Sequence, residues 1–157
     1  MNGEKRQPEG RVWISRVLIG AVLVMNVQCA LQFLANAEAY LAAYELEGVP
    51  GAAAIRALGV LFLMWSVPYL VAFWDPLEHR VSLYEAVAMQ AIGLAGETLI
   101  LLGLPEGHEA LRGSIARFIL FDGLGLVALI AAAWITVEPR RMLRFSSNHR
   151  DTELTEF

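Results

Sequence analysis

The chain has 157 residues, is 57% hydrophobic and carries a formal net charge of −4. Its mean hydropathy is +0.51, and apolar runs take up so much of its length that no soluble domain fits beside them. The acidic balance excludes the basic face on which nucleic-acid binders rely, and the single cysteine, Cys29, excludes an internal disulfide and Cys-x-x-Cys exchange chemistry.

A bilayer's hydrocarbon core is about 30 Å thick and a helix rises about 1.5 Å per residue, so about 20 mostly apolar residues cross it. Runs at 17–35, 57–74, 83–104 and 118–137 meet that length. Lipid offers the backbone no hydrogen-bond partner, so each run must be helical. The second run has no polar face, because Val60, Leu61, Phe62, Leu63, Met64 and Trp65 cover the whole helical circumference. The predicted fold class is all-α: one membrane domain, a four-transmembrane-helix bundle with both termini inside and the first helix extended on the outer face.

In chain order, a cytoplasmic tail at 1–11 leads into a first span at 12–35. Basic residues precede that span, and Ala35-Asn36-Ala37 matches a small-x-small cleavage site. The apolar stretch exceeds a signal-peptide core, however, so it is read as a retained span. Good helix formers continue through 36–47 until Gly48 and Pro50-Gly51 stop them. The first helix therefore either projects from the outer face or breaks into an interfacial helix bearing Tyr40 and Tyr44, with an outer helix and turn over 36–51. The second span, 52–74, contains Pro68, where a kink is predicted, and it ends at Trp74-Asp75-Pro76.

An inner turn at 75–82, a third span at 83–104, an outer loop at 105–113 and a fourth span at 114–137 follow. Glu138-Pro139 ends the last helix, and a polar cytoplasmic tail at 138–157 sets Arg140, Arg141 and Arg144 at headgroup level. Lys5, Arg6, Arg11, Arg16, Arg80, Arg140, Arg141, Arg144 and Arg150 fall on one side and Arg56, Arg112 and Arg117 on the other. The positive-inside rule then places both termini in the cytoplasm, and a bacterial cytoplasmic membrane is the expected location.

Polar groups within the apolar runs are the candidates for function, since a charge at mid-membrane costs about 2.5–3.5 kcal/mol and needs a partner, a wet cavity or neutralisation. Glu97 lies about 10 Å deep by helical rise, and Asp122, Arg117 and Arg56 fall in the same outer half. Gln90, Gly93 and Glu97 share one face of the third helix, and Gly93 and Gly96 allow close approach of a neighbour. Arg117 and Asp122, five residues apart, point about 140° apart. Glu97 is expected to pair with Arg117 or Arg56, leaving Asp122 to face inward beside Gly125. On the first helix Asn26, Cys29, Asn36 and Tyr40 form a polar line with Gln32 at its edge. That line serves as interhelix hydrogen bonding or, in the case of Asn26 and Gln32, lines the cavity of Glu97. The candidate polar pocket is Glu97, Arg117, Arg56, Asp122, Gln90 and Asn26.

His79, His108 and His149 lie in loops or the tail, which leaves no axial haem ligand within the bundle. Glu78-His79 with Asp75 lacks the fourth ligand of a metal site, and no phosphate loop or Ser/His/Asp set stands in context. No metal and no catalytic residue is expected.

The stretch Gly96-Glu97-Thr98-Leu99-Ile100-Leu101-Leu102-Gly103-Leu104 resembles the Glu, Leu-rich, Gly helix end of DoxX-like membrane proteins. Ile55-Arg56-Ala57-Leu58-Gly59 resembles their Arg-x-x-Gly helix opening. BphX-like small membrane proteins are similar too, and the shared pattern covers the last two-thirds of the chain. The resemblance implies a place among proteins some of which are subunits of quinone-linked oxidoreductases, with Glu97 and Arg56 as pocket positions.

Three functions follow as expectations. The first is a non-catalytic subunit or homo-oligomer in a membrane complex, surrounded by lipid and other membrane subunits and binding no nucleic acid. The second is a quinone-associated redox subunit with a polar outer-leaflet pocket. The third is a small proton-coupled transporter in which Glu97 exchanges a proton for a cation.

Overall fold

The computed structural model describes the backbone of residues 9–152 and the side chains of residues 9–136. Lys5, Arg6, Arg140, Arg141, Arg144, His149 and Arg150, which carry much of the charge asymmetry, lie outside the described side chains. Helix α1 runs Glu9–Ala35, the short α2 Ala37–Tyr40, α3 Gly48–Trp74, α4 Arg80–Gly103 and α5 Glu109–Thr152, with a 3-10 turn at Ala42–Tyr44 after α2. Four of these helices are long and apolar enough to cross a membrane, the last over Glu109–Thr136. The chain is a small polytopic membrane protein.

The four long helices alternate in direction. At one end the Ser15 hydroxyl of α1 donates to the Ala132 carbonyl of α5, Arg16 donates to the Trp74 carbonyl at the end of α3, and Arg80 of α4 donates to the Thr136 carbonyl. At the other end Phe33 of α1 meets Phe62 of α3 and Phe118 of α5. We call these the tail end and the loop end. Helices α1 and α4 each pack on both α3 and α5, so α1 and α4 sit on one diagonal of the bundle. Helices α1 and α3 come close at Gly59, where a Cβ would come within 2.9 Å of the Ala30 carbonyl oxygen. A bare Cα is what lets the two backbones meet there.

Trp13, Trp74 and Trp134 are 65%, 75% and 76% exposed, and all stand at the tail end together with the exposed Tyr84. An indole ring is apolar with one polar tip, which suits the boundary between hydrocarbon and headgroups. Most other exposed side chains along the spans are Leu, Val, Ile and Met, as a lipid-facing surface requires.

Two apolar clusters hold the interior. Ile19, Val22, Ala72, Leu83, Ala86 and Leu129 pack at the tail end, and Phe33, Ala37, Ala52 and Ile55 at the loop end.

Of the two forms expected beyond residue 35, the broken helix is the one that forms. The chain leaves α1 at Asn36 and folds over the bundle, so that Ala37 is fully buried and Phe33 lies edge-on to Tyr40 at 4.9 Å and Tyr44 at 5.9 Å. Glu45 and Gly48 take left-handed backbone angles and reverse the chain. Gly48 and Pro50, expected to end a helix, open α3 instead. Proline is tolerated in a first turn, where its missing N–H has no intrahelical partner to lose. Helix α3 runs on across Pro68, and two residues earlier the Ser66 hydroxyl donates to the Phe62 carbonyl. Helix α5 likewise runs on past Pro139 to Thr152, where the sequence suggested a stop. A proline removes one donor but not the helix, and Arg140, Arg141, Met142 and Leu143 are good helix formers.

Candidate binding site within the bundle

Between the two apolar clusters the interior turns polar. The 3.6-residue period stacks Gln90, Gly93 and Glu97 along one face of α4. Gln90 is 3% exposed, so its amide must be satisfied from within the protein. The Tyr69 hydroxyl of α3 donates to Gln90 Oε1 at 2.7 Å, and Gln90 Nε2 donates to Asp122 Oδ1 of α5 at 2.9 Å. An amide nitrogen only donates and an amide oxygen only accepts, so the NH2 faces the Asp122 oxygen and the carbonyl oxygen takes the phenol. The Ala86 carbonyl lies 3.2 Å from the same hydroxyl. Three helices are thereby joined by one chain of hydrogen bonds.

Two glycines make room for it. A Cβ on Gly125 would stand 2.6 Å from Gln90 Nε2, and a Cβ on Gly93 would collide with Asp122 Oδ2. Asp122 faces inward as expected, and Gly125 is the gap that Gln90 enters.

Above this chain lies a cavity of about 350 Å³. Its polar wall is Asn26, Gln90, Glu97 and Asp122, and its apolar walls are Phe62 and Trp65 of α3, Phe118 of α5 and Ile92 and Ile100 of α4. Ile92, Ile100 and Trp65 are exposed, so the mouth opens between α3 and α4 towards lipid. The two helices are tied by the short turn after Trp74, where Asp75 Oδ1 accepts the N–H groups of Leu77 and Glu78. Glu97 Oε2 is buried and has no hydrogen-bond partner among the described residues. A buried acceptor left unmade costs about 1–3 kcal/mol, and more when charged.

Four of the six sequence-predicted residues, Asn26, Gln90, Glu97 and Asp122, therefore meet at one cavity, and the two arginines do not. Arg56 bonds Glu38 Oε1 at 2.7 Å on the loop-end surface. The fold-back of 36–47 supplies this acid, which a count of residues along the spans does not reveal. Glu38 is held below the usual carboxylate range by its own backbone N–H and by Arg56. Arg117 donates to Ser114 Oγ at 3.0 Å and lines a different cavity. With Asp122 turned to α4, the angle along α5 swings Arg117 towards α1. The expected pairing of Glu97 with Arg117 or Arg56 does not form. On α1, Asn26 lines the cavity of Glu97, whereas Gln32 lines the one beside Arg117 and accepts from Asn36 Nδ2 at 3.1 Å.

Sequence reasoning missed Tyr69, Phe62, Trp65 and Phe118. A signal for three of them was present, because 62, 65 and 69 recur at helical spacing and bring aromatic rings to one face of α3. Phe62 and Trp65 meet edge-on with centroids 5.7 Å apart. Among the described residues no three His, Cys, Asp or Glu side chains come together to hold a metal.

No family model, curated protein or solved structure matches the chain. The site is an aromatic slot open to lipid, with a carboxyl–amide–phenol chain at its base and, among the described residues, one unsatisfied carboxylate oxygen on its side.

Proposed function

We propose that this protein is a non-catalytic binding subunit of a bacterial cytoplasmic-membrane assembly, and that its cavity takes the ring of a quinol-type molecule entering sideways from the bilayer. The observation that carries this is Glu97 Oε2, an acceptor with no partner inside a slot walled by Phe62, Trp65 and Phe118. A hydroxyl on a flat ring supplies the missing donor, and the ring stacks between aromatic walls. The volume of about 350 Å³ suits a head group, with the apolar tail left among lipid chains. The resemblance to DoxX-like proteins points the same way.

The test uses Trp65, the one tryptophan at the cavity; the other three stand at the tail end. The protein in lipid nanodiscs is titrated with a decyl-tailed benzoquinone as fluorescence quencher, and the reduced quinol is then added as competitor. Saturable quenching that vanishes in Trp65→Phe is expected, with the quinol displacing the quinone. In Glu97→Gln the advantage of the quinol over the quinone should disappear. Linear, non-saturable quenching, or an unchanged quinol preference in Glu97→Gln, would overturn the proposal.

A further inference from the structure

A second cavity of about 340 Å³ lies between α1 and α5 at the loop end and plays no part in the quinol proposal. The Phe62 and Phe118 rings, stacked with centroids 5.8 Å apart, line both cavities, and Glu97 lines the first alone. Its walls are Met25, Phe33 and Phe121, and its mouth carries three polar side chains that a lipid-facing surface would not otherwise show: Gln28, Gln32 and Arg117. Arg117 is the only cation on the lining. Among the described residues it bonds the Ser114 hydroxyl, and no carboxylate is paired with it. Ser114 is itself committed, donating to the Ala43 carbonyl at 2.6 Å. Arg117 lies eight residues into α5, so about 12 Å along the helix, within reach of the headgroup layer by its own long stem.

We propose that this cavity binds a single-chain amphiphile with one negative charge, its oxyanion held by the Arg117 guanidinium and the Gln28 amide, its chain lying over Met25 and Phe121. A guanidinium fork matches the two oxygens of a carboxylate or phosphate and makes a charge-assisted bond stronger than a neutral one. One cation without an acid partner calls for one anion, and an aromatic-lined space of this size fits one chain rather than a two-chain lipid. Tyr44 stands at the same cavity; burial pushes its phenol well above the usual tyrosine value, so it stays a neutral hydrogen-bond donor to an oxyanion. A carboxylate and a phosphodiester share this chemistry, so the source is either a free fatty acid or a lysophospholipid.

Calorimetric titration in zwitterionic detergent, with palmitate, palmitoyl-lysophosphatidylglycerol and palmitoyl-lysophosphatidylcholine as probes, tests the proposal. At least one of the two anions should bind about tenfold or more tightly than the zwitterion. A preference for palmitate names the fatty acid as the source, and a preference for the glycerol lipid names the phospholipid. Arg117→Gln should abolish the advantage of the anion, Arg117→Lys should keep most of it, and Arg56→Gln, which removes a cation outside the cavity, should leave it intact. Thermal unfolding of each variant shows that the fold is kept. Equal affinity for all three probes, or an anion preference that survives in a folded Arg117→Gln, would overturn it. Because Glu97 and Trp65 are untouched, quinone quenching in Arg117→Gln should match the wild type, so the two proposals fail separately.

Discussion

Gln90 of α4 and Asp122 of α5 are joined by a 2.9 Å hydrogen bond, and Gly93, one turn along α4, leaves the space in which the Asp122 carboxyl sits. Because Tyr69 of α3 donates to the other end of the same amide, the bond fixes three helices against one another. Replacing Gln90 by Leu leaves the half-buried Asp122 carboxyl without its amide donor. A loss of about 1–3 kcal/mol in unfolding free energy is expected, measured by denaturation in mixed micelles. An unchanged midpoint would show that the bond contributes nothing net.

Gly93 and Gly96 look alike in the sequence but not in the bundle. A methyl at Gly93 runs into Asp122, while Gly96 has nothing within 4 Å of the same position. Gly93→Ala should destabilise by about 1–3 kcal/mol, because Asp122 is too short to yield without giving up Gln90. Gly96→Ala should be neutral or stabilise by up to about 1 kcal/mol through helix propensity. Paired melting curves decide it, and equal effects would contradict the packing described.

Glu97 trades stability for a place to bind. Removing its unpartnered buried oxygen takes away a desolvation cost, so Glu97→Leu should raise unfolding free energy by about 1–3 kcal/mol while losing quinol competition. A destabilised Glu97→Leu would mean that the carboxylate has a structural partner.

At the loop end Glu45 bridges two segments. Its Oε2 lies 2.5 Å from His108 Nδ1, and its Oε1 accepts from the Leu111 N–H at 3.2 Å, in the first turn of α5. His108 first, and the Leu111 N–H second, hold the Glu45 carboxyl below the ordinary glutamate value of 4.5. A lowered folded value means that the stabilisation is fully present above 4.5 and fades as pH falls through the folded value. Thermal scans from about pH 6 to about pH 3 should therefore show a shallower acid decline in Glu45→Gln than in the wild type. Parallel declines would rule the bridge out as a contributor.

The proposed orientation has its own test. In a Cys29→Ala background, Gly107→Cys should react with a membrane-impermeant maleimide on intact cells, and Glu78→Cys only after permeabilisation. The reverse pattern would invert the bundle.

The sequence determined the four crossings. A bilayer sets a minimum apolar length and denies the backbone any other hydrogen-bond partner, and both constraints act on composition alone. The face shared by Gln90, Gly93 and Glu97 was legible for a similar reason, since helical period is a property of a single segment. Which charges would meet was not legible. Glu38 reaches Arg56 only because 36–47 folds back over the bundle, and Arg117 is drawn away from Glu97 by the rotation that sends Asp122 to Gln90. Pairing depends on where separate helices sit in space and how each is turned about its axis. Those quantities are settled by small contacts such as Gly59 on Ala30 and Gly125 on Gln90, and so only the packed bundle decided them.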